Sequence, residues 1–291
     1  MRACPRVLRP ALSRAIALTW FYVVPLRRTT VLGNLALAFP EKDPLWRRRT
    51  AIRCARHFVS AAFDLASLDK AEEEDYRRML QGVEGRERLE AVCEGGKPVI
   101  CVAGHLGNWE LQVSFFTMIK KVPLAVLVKP LHNPLVERMV AKRRQRCGFE
   151  IIHTGRDMRE ALRAVRASKF LGFLADQDAG RRGIFVPFFN VPASTFQGPA
   201  VFSYRLNLPI VVITCRRVSS EGRYVLRFHP PIYPNPQANR QEEIERLTRL
   251  HVRHLESAIR EAPEQYFWFH KRWKTRPRKP RTNSLDSAGS R

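Results

Sequence analysis

The chain has 291 residues, 51 Lys and Arg against 27 Asp and Glu, and a formal net charge of +24. Hydrophobic residues make up 45% and aromatics 10%, which excludes wholesale disorder, a collagen-like repeat and a polytopic membrane protein, and suffices for one large globular domain or two small ones. A surface this basic requires something anionic opposite it, either nucleic acid, lipid headgroups, or a phosphorylated substrate or carrier, and the charge alone does not choose among them.

Residues 15–26 (AIALTWFYVVPL) form an uncharged run with arginines on both sides. As a helix, twelve residues reach about 18 Å, short of the ~30 Å hydrocarbon core of a bilayer. The run passes directly into Pro25-Leu26-Arg27-Arg28 with no small-residue cleavage site, so it reads as an interfacial or marginally inserted anchor rather than a secretion signal. Residues 45–68 follow with Ile52, Ala55, Val59, Ala62, Phe63 and Ala66 at helical spacing behind a basic start of Arg47, Arg48, Arg49, Arg53 and Arg56. Such a helix suits an anionic bilayer and equally suits a core with a solvated basic face.

From Pro98 the pattern becomes strand and helix in alternation. Strands are predicted at 99–103, 124–128, 149–153, 170–175, 209–215 and 224–229, with helices at 109–119, 134–147, 158–167, 197–206 and 241–262 and a Gly, Pro and Phe-rich loop before 197. This alternation implies an α/β domain with a mostly parallel central sheet and flanking helices. Three regions are expected: an anchoring segment over 1–30, a catalytic domain over 31–277 and a disordered basic tail over 278–291. Six cysteines at 4, 54, 93, 101, 147 and 215 show neither Cys-x-x-Cys pairing nor zinc-finger spacing, so no metal centre and no disulfide framework is expected.

The chemistry concentrates in Gly104-His105-Leu106-Gly107-Asn108-Trp109-Glu110, directly after the first of these strands. Loops at the carboxyl ends of parallel strands converge, which makes this a favourable position for reactive groups. Glu110 falls in the first turn of the next helix, within reach of the His105 imidazole, where a carboxylate on one ring nitrogen leaves the other free as a general base. A loop histidine followed by a carboxylate five residues later is a weak pattern by itself, and a purely structural role satisfies it too.

The wider context narrows the choice. GHLGNWEL after an apolar strand resembles the His-x4-Asp/Glu signature of the glycerolipid and lipid acyltransferases, in particular the branch holding the bacterial lipid A late acyltransferases and the phosphatidylinositol mannoside acyltransferases. Arg27-Arg28 with Asn34-Leu35 and Phe39-Pro40, the block Asp176-Gln177-Asp178-Ala179-Gly180 with Phe185-Val186-Pro187-Phe188-Phe189 and Ala193-Ser194-Thr195, and the C-terminal stretch from Pro263 to Pro277 are similar to that family in the same order. The resemblance implies His105 and Glu110 as catalytic residues, with Asn108, Arg144, Asp178 and Asp176 at the substrate, Arg144 chosen within the cluster 142–146 and Asp178 ahead of Asp176. It implies no cofactor, an acyl carrier protein or coenzyme A thioester as donor, a glycolipid hydroxyl as acceptor, and an anionic membrane surface at the cytoplasmic face of a bacterial inner membrane.

Alternatives remain at this level. A lysophospholipid or phosphatidylinositol mannoside-type acceptor fits the same motifs. The aromatic and basic run over 266–281 also fits nucleic acid, although no nucleic-acid module accompanies it. Clustered carboxylates in Asp176-Gln177-Asp178 invite a metal reading, but the loop continues into Arg181, Arg182 and an apolar stretch without the spacing of a cation loop. Phe185, Val186, Phe188 and Phe189 fit either an acyl path or core packing.

Overall fold

The computed structural model describes residues 5–68, 72–94, 96–119, 122–128, 147–153 and 158–277. Three N-terminal helices come first: α1 (Arg9–Tyr22), α2 (Arg28–Ala38) and α3 (Pro44–Ser67). Asp43 starts α3 by accepting a bond from the Trp46 amide at 2.7 Å, with Pro44 at the first helical position. After α4 (Glu73–Met79), β1 (Leu80–Glu84) and α5 (Arg86–Cys93), the alternation begins with β2 (Ile100–Ala103), α6 (Trp109–Ser114), β3 (Leu124–Val128), β4 (Glu150–His153), α7 (Met158–Arg166) and β5 (Phe170–Leu174). The remaining elements are β6 (Ile184–Phe188), β7 (Val191–Thr195), α8 (Gly198–Leu206), β8 (Ile210–Arg217), β9 (Tyr224–Phe228) and α9 (Arg240–Glu261), whose start is capped by the Asn239 carboxamide.

Seven strands form one sheet in the order β1-β9-β8-β2-β5-β3-β4. The five from β8 to β4 are parallel; β9 pairs antiparallel with β8, and β1 runs parallel to β9. The sheet is therefore mostly parallel, as the alternation predicts, with a reversed pair at one edge.

Strand periodicity sets the two cores. Val211, Ile213 and Cys215 of β8 join Cys101 and Val126 against Leu111, Phe115 and Tyr76, while Ile210 and Val212 join Ile100, Val102 and Leu171 against Ala161, Phe202 and Leu247. Successive side chains alternate faces, so each of these strands is apolar on both sides and helices cover both. A third cluster unites Phe21, Val31, Leu35 and Cys54 of the N-terminal helices with Phe188, Phe189, Leu255, Tyr266 and Trp268, and includes Leu106 from the loop after β2.

Several local features differ from the sequence expectation. The helix expected over 109–119 divides into α6 and a turn of π-helix from Phe115 to Ile119. The Gly, Pro and Phe-rich stretch forms the β6–β7 hairpin, which turns through Phe189 and Asn190, both at positive φ. Its Val186, Phe188 and Phe189 are buried among aromatic rings, so these three are core residues. The run 266–277 is not a basic surface ribbon either, because Tyr266, Trp268, Arg272 and Trp273 are buried. The predicted helix at 134–147, apart from Cys147, and the predicted tail over 278–291 lie outside the described residues.

No helix among the described residues is long and apolar enough to cross a membrane. α1 is partly embedded, since Ser13, Ala17 and Phe21 are buried.

Candidate active site

Parallel pairing of β2 with β5 creates the site. Ala103 is in register with Leu174, so His105 and Asp176, each two residues further on, stand opposite one another beyond the strand ends. The Asp176 carboxylate takes the His105 backbone N–H at 2.8 Å through Oδ2 and the ring Nδ1–H at 2.7 Å through Oδ1. A carboxylate only accepts, so Nδ1 carries the proton and Nε2 holds the lone pair of a general base. Asp176 is almost fully buried, whereas the imidazole side chain is 17% exposed, so the ring and not the carboxylate is accessible to substrate.

Burial works against a charged imidazole, but the charge and hydrogen bond of Asp176, with a further contribution from the charge of Glu110, outweigh it and raise the His105 pKa above 6.5. Burial also opposes ionisation of Asp176, and the His105 charge and hydrogen bonds outweigh it, holding that carboxyl below 3.8. The pair is thus an oriented base with a fixed tautomer.

The loop carrying His105 is tied down along its length. Gly107 donates to the Gln265 carbonyl at 2.9 Å and Asn108 to the Cys215 carbonyl at 3.3 Å, while the His105 carbonyl accepts from Phe267 at 2.9 Å. Gly107 sits at φ 64°, and a Cβ there would lie 1.7 Å from the Cys215 oxygen, so only glycine fits. Behind the loop, His57 of α3 donates through Nε2 to the Gly107 carbonyl at 3.0 Å. Burial holds His57 neutral, with its pKa pushed down to about 4.

The expected site residues divide among distinct positions. Glu110, placed by the sequence beside the imidazole, lies in the first turn of α6 and acts on His105 as a nearby charge; the carboxylate bonded to Nδ1 is Asp176. Asn108 is buried and caps α6 through Leu111 N–H at 3.3 Å, while its amide nitrogen meets the Ala61 carbonyl at 3.3 Å. Asp178 receives the Thr275 hydroxyl at 2.9 Å and its own N–H meets His270 Nε2 at 2.9 Å, which anchors the C-terminal segment beside the site. Arg144 lies outside the described residues.

Residues not singled out from sequence complete the surroundings. Trp109 and Phe267 pack on the imidazole with ring centres 4.8 and 6.0 Å away. From Phe267 the rings continue to Phe269 at 5.3 Å and then to Trp20 of α1 at 5.1 Å. The Gln177 amide nitrogen stands 3.5 Å from His105 Nε2. An apolar pocket opens beside Trp109 and Glu110 and runs under α6 across the sheet, walled by Val113, Phe116, Val126 and Gly172.

A buried carboxylate orienting a base at the strand ends, with an apolar pocket alongside, suits proton removal from a hydroxyl near a hydrocarbon chain. Known proteins agree in kind. The chain is 27% identical over 255 residues to the lipid A biosynthesis lauroyltransferase of Escherichia coli K12, covering 86% of this chain and 80% of that one. It is 24% identical over 275 residues to a lipid A biosynthesis acyltransferase of Haemophilus influenzae, covering 94% and 83%, and 27% identical over 259 residues to the E. coli K12 lipid A biosynthesis palmitoleoyltransferase, covering 86% and 80%. The family model described as bacterial lipid A biosynthesis acyltransferase matches residues 1–275, which takes in the His105 loop, the Asp176 turn and nearly all of the described C-terminal segment, so this chain belongs to that family and is an acyltransferase.

Proposed function

We propose that the protein moves a fatty acyl group from an acyl carrier protein or coenzyme A thioester to a hydroxyl of a lipid A precursor, with His105 as general base and Asp176 as its orienting carboxylate. The observation that carries this is the His105 Nδ1 to Asp176 bond, which leaves Nε2 with the lone pair of a base on a ring that is still partly exposed. Nε2 takes the hydroxyl proton as the oxygen attacks the thioester carbonyl, and Asp176 stabilises the imidazolium that results. Glu110 adds a second negative charge near the ring, and no acyl-enzyme is required. The pocket under α6 takes the acyl chain, since its walls are mostly hydrocarbon and it begins at Trp109, whose ring packs on the imidazole. No cofactor takes part in these steps.

The acceptor is a membrane lipid, and the N-terminal segment over 1–30 is the part of the molecule that meets the bilayer, lying on it. Leu8, Leu12 and Ile16 expose an apolar stripe at four-residue spacing, and Tyr22, Val23, Val24 and Leu26 expose an apolar tip. Arg48, Arg49, Arg53 and Arg56 of α3 are exposed nearby in sequence and suit anionic headgroups of the cytoplasmic leaflet. The line of rings from Trp20 to His105 gives the acceptor an apolar route from that tip to the base.

The test uses the full chain with radiolabelled acyl carrier protein and coenzyme A thioesters in turn, and a lipid A precursor in mixed micelles. Wild type transfers label and His105→Ala does not. Transfer by His105→Ala at the wild-type rate overturns the mechanism, and label appearing on a lysophospholipid in preference to the lipid A precursor overturns the acceptor.

A further inference from the structure

The geometry points to the Gln177 side-chain amide as a catalytic residue, the donor that stabilises the oxyanion during acyl transfer; this rests on the general-base reading of His105. In that reaction a bond forms between the acceptor oxygen and the acyl carbon, the hydroxyl proton passes to Nε2, and the carbonyl electron pair moves onto its oxygen. Collapse restores the carbonyl, breaks the carbon–sulfur bond, and the thiolate leaves with the proton from Nε2. Charge on the oxygen is met best by donors already in position, which need no reorganisation at the moment of reaction.

Backbone donors of the His105 loop are committed elsewhere. The amides of His105, Leu106, Gly107 and Asn108 bond to the Asp176 carboxylate and to the carbonyls of Gly104, Gln265 and Cys215 respectively. Nearby side chains are engaged or enclosed: the terminal nitrogens of Arg272 donate to the Ser194 carbonyl and the Thr195 hydroxyl while its Nε, unpaired among the described residues, is buried, the Tyr266 hydroxyl donates to the Asp176 carbonyl, and His270 Nε2 accepts from Asp178.

Gln177 is placed differently. Its neighbours Asp176 and Asp178 are bonded to His105 and Thr275, so its backbone is held on both sides, while the half-buried side chain extends to Nε2. A lone pair on Nε2 faces a donor, which assigns the amide nitrogen to that side. When the acceptor hydroxyl occupies the lone pair, the amide N–H is released beside the reacting oxygen. The oxyanion is one bond angle from that oxygen, within reach of a donor that already stands 3.5 Å from Nε2.

Gln177→Leu and Gln177→Glu are compared with wild type on the thioester and lipid A precursor that the wild-type chain turns over. Leucine removes the amide, and glutamate keeps its shape while replacing the donor by an acceptor. Each variant is expected to lose about 10²- to 10³-fold in kcat, with KM for donor and acceptor within about twofold and an unchanged thermal midpoint. A long-chain alkyl trifluoromethyl ketone, whose hydrate copies the tetrahedral centre, is expected to bind Gln177→Leu more weakly by a comparable factor. Values of kcat within about threefold of wild type in both variants, or a loss confined to KM, overturn the assignment. An active wild type with unaffected variants overturns the oxyanion donor alone, whereas a wild type that transfers nothing overturns the proposed function and this inference with it.

Discussion

His105 and Asp176 share one proton across a 2.7 Å bond, and that coupling has a measurable consequence. His105 must be neutral at Nε2 to act as a base, and its pKa is raised, so the ascending limb of the kcat/KM profile is expected above pH 6.5. Asp176→Asn removes the carboxylate that raises it and leaves burial, which lowers it. The limb should therefore move to lower pH while the plateau falls by about 10³- to 10⁴-fold, as when a base loses its orienting carboxylate. Glu110→Gln should lower activity far less; if it is the more damaging of the two, Glu110 is the orienting partner and Asp176 a bystander. Gly107 carries a different constraint. Gly107→Ala puts a methyl into the Cys215 carbonyl at a left-handed φ, and should cost at least about 3 kcal/mol in chemical denaturation.

At the scale of elements, α3 has two faces with separate tasks. One carries Cys54, His57 and Asp64 into the protein, where Cys54 meets the Tyr266 carbonyl, His57 the Gly107 carbonyl, and Asp64 both Arg217 Nε at 3.0 Å and the Tyr224 hydroxyl at 2.7 Å. The other face carries exposed arginines. Reversing Arg49, Arg53 and Arg56 to Glu should weaken sedimentation with phosphatidylglycerol vesicles by more than about 100-fold, at about 1 kcal/mol for each lost cation, and flatten its salt dependence. Leu8, Leu12 and Ile16 changed together to Ser should weaken it at every salt concentration. Unchanged vesicle binding in both would move the membrane contact elsewhere. The β6–β7 hairpin shows why a turn escaped the sequence: Asn190 suits a positive φ but Phe189 does not, and Phe189 is held there by the Arg260 guanidinium 4.4 Å from its ring and by a 2.6 Å bond from its N–H to Glu256. Tertiary contacts outweigh the local preference.

For the molecule as a whole, buried histidines set the acid limit. Burial depresses His57 and His229 to about 4 and His251 to about 3. Their unfolded pKa lies near 6.5, so between that value and the folded ones the unfolded chain binds more protons and stability falls as pH falls. The thermal midpoint should decline as pH drops from about 6.5 toward 4, and His251→Leu should flatten that decline; a midpoint constant over this window would show that these histidines are protonated without cost.

The strands of the central sheet were legible because each is a short, continuous apolar run between turn residues, and the His105 loop because it directly follows one. The motif residues at the two ends of the chain were legible as a pattern but not as a function. Asn34 donates to the Trp268 and His270 carbonyls at 2.7 Å, and Arg27 to the Phe269 carbonyl at 3.1 Å, so what looked like separate signatures is one clamp. Sequence by itself determined the α/β class, the place of His105 directly after a strand and the family, since apolar periodicity and motif order are local properties of the chain. The tertiary structure alone decided which carboxylate meets His105. Glu110 is five residues away and Asp176 seventy-one, but the parallel register of β2 and β5 brings the distant one to Nδ1, and strand register is set by packing across the sheet rather than by anything written beside either residue.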